Sequence, residues 1–134
     1  MRAFDTNLLV RILTRDDEGQ VAVIDRLLDE ADASGERFFV PVTVILELEW
    51  VLRSVYKRTR ADVVKALNAL LENAALVVEH HEDVELALDT IAASARRTDF
   101  ADALHVAISW TADHTPLLTF DEGCARLAGA ELLT

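Results

Sequence analysis

Cysteine is nearly absent from this chain. Cys124 stands alone among 134 residues, which excludes an intrachain disulfide and any multi-cysteine zinc site and points to a reducing compartment. Glycine occurs only at 19, 35, 123 and 129, so there is no glycine-rich phosphate loop, and no Gly-x-Ser-x-Gly elbow announces a serine hydrolase. Long apolar runs are missing too. The longest, Phe38 to Leu46, is nine residues interrupted by Pro41 and Thr43, against the roughly 20 needed to span a bilayer. The N-terminus lacks a basic flank joined to an apolar signal core. The expectation is a protein of the cytoplasm with no membrane contact.

Positive charge is also scarce. Thirteen basic residues against 24 acidic ones give a net charge of −11, which disfavours nonspecific attraction to nucleic acid. A nuclease is not excluded, because divalent ions bridge carboxylates to phosphate oxygens; a basic protein partner also fits. The one basic stretch, Arg53, Lys57, Arg58, Arg60 and Lys65, reads first as a solvated helix-hairpin surface. An RNA track or a surface for an acidic segment is the alternative. With 51% apolar residues and this length, the chain is expected to form a single domain over residues 1–134 with a real core.

Hydrophobic periodicity places the elements. Strands are expected at Arg2 to Asp5, Phe38 to Val40, Ala75 to Glu79, Leu117 to Thr119 and, at the edge, Ala130 to Leu133. Helices are expected to run through Ile12, then Gln20 to Ala33, Val44 to Lys57 with Thr43 as its cap, and Arg60 to Leu71. Further helices are expected over Asp83 to Arg97, Phe100 to Ala112 and Glu122 to Leu127, with His80 and His81 in a loop. Short apolar strands separated by helices indicate an α/β domain, a short central parallel sheet with helices on both faces.

In such sheets ligands sit at the carboxyl ends of the strands, where Asp5 stands. Asp121 repeats the pattern of apolar strand, acid, helix. Asp99 and Asp102 lie three apart at a helix start. Each of these reads locally as a helix cap or first-turn acid, or as a ligand. Glu47 lies on the margin of a stripe formed by Val44, Leu48, Val51 and Val55 and lacks a local cation. Glu49 reads as a surface acid with Arg53 four residues on. Carboxylates converging without cations would repel by several kcal/mol on an order-of-magnitude Coulomb estimate, a conflict that a divalent ion removes. Oxygen-only donors favour Mg²⁺, or Mn²⁺ as a substitute, over zinc.

Four segments together carry a resemblance: Asp5-Thr6-Asn7, Thr43 to Leu52 (TVILELEWVL), Asp99 to Val106 (DFADALHV) and Leu118 to Asp121 (LTFD). In this order and length the chain resembles a PIN domain of the VapC ribonuclease-toxin type. The resemblance implies an α/β/α fold, a Mg²⁺ site, RNA cleavage, a cognate VapB-like antitoxin and a homodimer. By position it implies Asp5, Glu47 and Asp102 as the three principal acids and Asp121 as a more variable fourth. Asp99 remains ligand or cap, and Thr6, Asn7 and Thr119 either support the site's water and carboxylates or serve turns and caps. His105, three after Asp102, reads first as a core or surface histidine. Trp50 and Trp110 read first as core, with a dimer interface as the alternative. Two rival readings are weighed. A dehalogenase-like phosphatase using Asp5 as nucleophile would want an acid where Asn7 stands; a non-catalytic domain would not need the acid set intact.

Overall fold

The computed structural model describes residues 1–94 and 97–134, which form two compact units, residues 1–79 and 80–134. The first unit holds a parallel sheet in the order β1 (Arg2–Ala3), β2 (Phe38–Val40), β3 (Leu76–Val78). Helices α1 (Thr6–Thr14) and α2 (Glu18–Ser34) join the first two strands; α3 (Val42–Ser54) and α4 (Arg60–Glu72) join the next two. Parallel neighbours need such crossovers because a tight turn cannot reverse the chain twice. Strands of two or three residues suffice because their apolar side chains are sealed: Phe38, Val40, Leu76 and Val78 are all buried. Phe4, just past β1, extends the ladder through its amide to Phe39 O at 2.9 Å and stacks on Phe38 with ring centroids 4.5 Å apart.

The second unit comprises α5 (His81–Ala93), α6 (Phe100–Thr111), β4 (Leu117–Thr119), the short α7 (Glu122–Ala125) and β5 (Ala130–Leu132), with β4 and β5 paired in parallel. Its core is Val84, Ala87, Leu88 and Ile91 of α5 against Phe100, Leu104 and Ala107 of α6. At Gly129 the backbone φ is +95° and an added Cβ would lie 3.0 Å from the Trp110 ring, so a side chain there is excluded twice over. The expected α/β architecture, with helices flanking short parallel strands, is what the chain adopts.

Element boundaries differ from expectation where caps lie elsewhere. Asp17, not a later residue, caps α2, accepting from Gln20 N at 3.0 Å; Gly35, at φ +76°, ends it. Helix α3 begins at Val42, so Thr43 is inside the first turn and caps nothing. Pro41 occupies the N-cap without a side-chain bond, and the first amide is met by Glu79 Oε1, 2.9 Å from Val42 N. Helix α3 stops at Ser54, three residues short of Lys57, which takes a positive φ of 55°. Helix α5 starts at His81, so His81 is helical while His80 stays in the preceding turn at the N-cap, and the helix ends at Ala93. Of its expected extension, Ala95 and Arg96 lie outside the described residues, and Arg97 is not helical.

Helix α3 also turns a different face inward. Ile45, Leu48, Glu49 and Leu52 are its buried residues, whereas Val55 is 58% exposed, so Glu49 is not a surface acid. Its carboxylate is tolerated there because Arg53 Nε reaches both oxygens, at 3.0 and 3.3 Å, while the guanidinium stays half in water. Removing the cation strands the charge. Arg53→Ala is expected to cost about 2 kcal/mol in urea unfolding, below the 3–5 of a fully enclosed pair because the guanidinium is hydrated. A loss under about 0.5 kcal/mol would show that Glu49 does not depend on it.

Candidate functional site

In the first unit the carboxyl ends of the strands collect acids. The Asp5 side chain caps α1, with Oδ1 accepting from Thr6 N at 2.6 Å. Cap and ligand are therefore not alternatives for this residue, because the bond occupies one carboxylate oxygen and Oδ2 accepts nothing among the described residues. Thr6 is buried, and its hydroxyl donates to Glu47 Oε1, which ties α1 to the exposed acid of α3. Thr6 thus positions Glu47, a role that fits its place beside Asp5. Asn7 is exposed and lines a different cleft, with Leu8, Arg11 and Gln20. Glu79, at the end of β3, was not legible as part of this edge, since nothing local marks an acid that caps a helix 37 residues away.

The second unit repeats the arrangement at its own strand end. Asp99 caps α6, its Oδ1 accepting from Ala101 N at 2.8 Å, and Asp121 caps α7 through Gly123 N at 2.7 Å and Cys124 N at 3.3 Å. Asp102, in the first turn of α6, is partly buried and has no Lys or Arg partner among the described residues. Its pKa is raised, first by desolvation and then by the negative charges of Asp99 and Asp121, with exposed His105 pulling weakly the other way. Partial burial and two neighbouring carboxylates therefore bear on Asp102, opposed only by His105.

Thr119 Oγ1 accepts from Asp121 N at 3.0 Å and so shapes the turn that presents this acid. Cys124 is buried beside them. Burial and then the charge of Asp102 push its thiol pKa up, against a hydrogen bond with Thr119, so it stays protonated and unreactive.

A buried acid that sequence reasoning missed is Asp83, in the first turn of α5. It accepts from the Thr111 hydroxyl and lies 3.0 Å from His80 Nδ1, which satisfies it as a structural link between α5 and α6. Trp50 and Trp110 are not core residues. They are 54% and 57% exposed.

Whether the acids suit a divalent cation can be judged from their chemistry. All donors are oxygens, each capping Asp keeps one oxygen free, and the Asp102 pKa is raised first by desolvation and then by the like charges of Asp99 and Asp121. No group of three or more His, Cys, Asp or Glu is gathered tightly enough to hold a metal among the described residues. By its chemistry the donor set of each unit fits a hard cation.

No helix among the described residues is long and apolar enough to cross a membrane. The PIN domain family model matches residues 3–130. The chain is also 31% identical over 104 residues to the VapC ribonuclease of Aquifex aeolicus (strain VF5), covering 78% of this chain and 75% of that protein. With its acids in the order Asp5, Glu47, Asp102, Asp121 along this match, the chain belongs to the PIN domain family, as a VapC-like member.

Proposed function

We propose that this protein is a Mg²⁺-dependent endoribonuclease, with Mn²⁺ as a substitute ion, acting in the cytoplasm as the toxin of a toxin-antitoxin pair. The observation that carries the reading is Asp102, whose pKa is raised by partial burial and then by Asp99 and Asp121, with no Lys or Arg partner among the described residues, in a chain similar to a VapC ribonuclease. Asp5, Glu47, Asp102 and Asp121 are assigned as the acids of the reaction, from their order and motif context. Asp99 is foremost the cap of α6, with one oxygen to spare.

When bound, a divalent ion supplies charge neutralisation at the scissile phosphate and an acidified water. The chain's own contribution is preorganisation. Capping bonds restrain Asp5, Asp99 and Asp121, and the Thr6 hydroxyl restrains Glu47, which lowers the cost of orienting each carboxylate. Without the ion, these uncompensated carboxylates repel an incoming phosphodiester.

A VapB-like antitoxin and a second copy of the chain are the proposed protein partners. The second unit supports the latter with an apolar cleft of about 260 Å³ beside half-exposed Leu86 and Trp110.

The full chain, purified free of any partner, is expected to cut single-stranded or structured RNA with Mg²⁺ or Mn²⁺. It should stop in EDTA and lose the activity in Asp5→Asn, which keeps the capping oxygen but removes the charge. Cutting that survives EDTA, or that persists in Asp5→Asn, would overturn the mechanism. A phosphorylated enzyme intermediate on Asp5 would favour the phosphatase rival.

A further inference from the structure

The acids explain how a phosphodiester could be cut but not how a chain of charge −11 holds RNA. Helix α3 and the turn after it offer an answer within the first unit. Residues 53–65 carry five basic side chains and one acid, Asp62. Lys57, Arg58 and Lys65 are exposed and form no ion pair among the described residues. Such unspent cations can exchange their counterions for phosphates.

Trp50 lies on α3, three residues before this basic stretch. At about 100° and 1.5 Å per residue it lies one turn beyond Glu47 and about 60° around the helix, on the same side. Its neighbours one turn away are Leu46, Glu47, Arg53 and Ser54, three of them polar, while exposed Val55 points about 140° away. A protein interface centres on a desolvated apolar cluster, which this surface does not have. An isolated exposed indole followed by free cations matches what an unpaired nucleic acid strand needs: a ring on which one base stacks, and charges for the phosphates that follow.

We infer that Trp50, Lys57, Arg58 and Lys65 form a docking track for single-stranded RNA, with a base beside the scissile phosphate stacked on Trp50. The inference rests on the ribonuclease reading and narrows its substrate to RNA with unstacked bases. A duplex, whose bases are already stacked, cannot use the indole.

The test uses the full chain with Asp5→Asn to prevent cutting and Trp110→Phe to leave Trp50 as the sole indole. A single-stranded oligouridylate should quench Trp50 fluorescence, and a hairpin duplex of equal length should not. Trp50→Ala should weaken oligouridylate binding, read by anisotropy in Mg²⁺, by about 5- to 100-fold. Trp50→Phe should retain binding and Trp50→Leu should not, because stacking needs a ring whereas apolar packing does not.

Replacing Lys57, Arg58 and Lys65 together by Gln should flatten the plot of log affinity against log salt by about 2, roughly 0.7 for each phosphate no longer neutralised. Unchanged affinity in Trp50→Ala together with an unchanged salt slope overturns the inference. So does a Trp50 signal that follows protein concentration alone, which would mark contact between copies, or one driven by polyglutamate and not by RNA. If the parent chain cuts RNA while these variants bind like their background, the track fails and the nuclease reading stands. If the parent neither cuts nor binds RNA, both fail.

Discussion

Asp102→Asn is expected to cut RNA about 1,000-fold more slowly than the parent and, in the absence of divalent ions, to melt a few degrees higher. The two effects have one cause. Asp102 is charged in a partly desolvated place beside Asp99 and Asp121, which raises its pKa above the ordinary carboxylate value. Between the unfolded and folded pKa values the native state binds more protons than the unfolded chain. Stability therefore falls as pH rises through that window, and above it the penalty is complete. At neutral pH the amide removes the penalty.

It also removes the charge that a divalent ion would use, so the loss of activity should exceed the 10- to 100-fold typical of groups that merely orient a ligand. Differential scanning calorimetry and a cleavage assay on the same preparations check both halves. Mg²⁺ should raise the melting temperature of the parent more than that of the variant. A variant that melts lower than the parent without metal would show that Asp102 is not under electrostatic strain.

Phe38→Ala is expected to cost about 3–5 kcal/mol, a large share of the 5–15 that a domain usually has. Phe38 is 1% exposed on the central strand of the three-stranded sheet, pairs in register with Arg2 and Leu76, and carries the stacked ring of Phe4. Alanine there opens a cavity and frees Phe4, the residue immediately before Asp5. The urea midpoint should drop with little change in slope, as for a loss of packing. Cleavage should fall even at temperatures where the variant remains folded, because the end of β1 is no longer pinned. Full activity in folded Phe38→Ala would show that Asp5 is placed by its cap alone.

Those residues also show what the sequence could and could not disclose. Apolar strands beside acids were legible because both patterns are local: Phe38 to Val40 reads as a strand, and Asp121 after Leu117 to Thr119 reads as a strand end. The four acids are grouped only through the order of their motifs, not through any local pattern. The inward face of α3 was not, because periodicity treats Glu49 as polar and cannot know that Arg53 makes its burial tolerable. Nor was the start of α3, whose first amide is met by Glu79 from another strand. The exposure of Trp50 and Trp110 was missed for a related reason, since large aromatics on periodic helices are usually assigned to the core.

The caps of α1, α6 and α7 assign two different tasks to the two oxygens of one side chain. Asparagine caps a helix about as well as aspartate, whereas alanine sacrifices about 1 kcal/mol at each site. Drift from Asp to Asn at position 5, 99 or 121 would therefore keep each helix start, and at 99 or 121 it would also relieve the charge that presses on Asp102. A lineage that no longer needs those charges can lose them one oxygen at a time, leaving copies of unchanged shape that melt no lower than their parent.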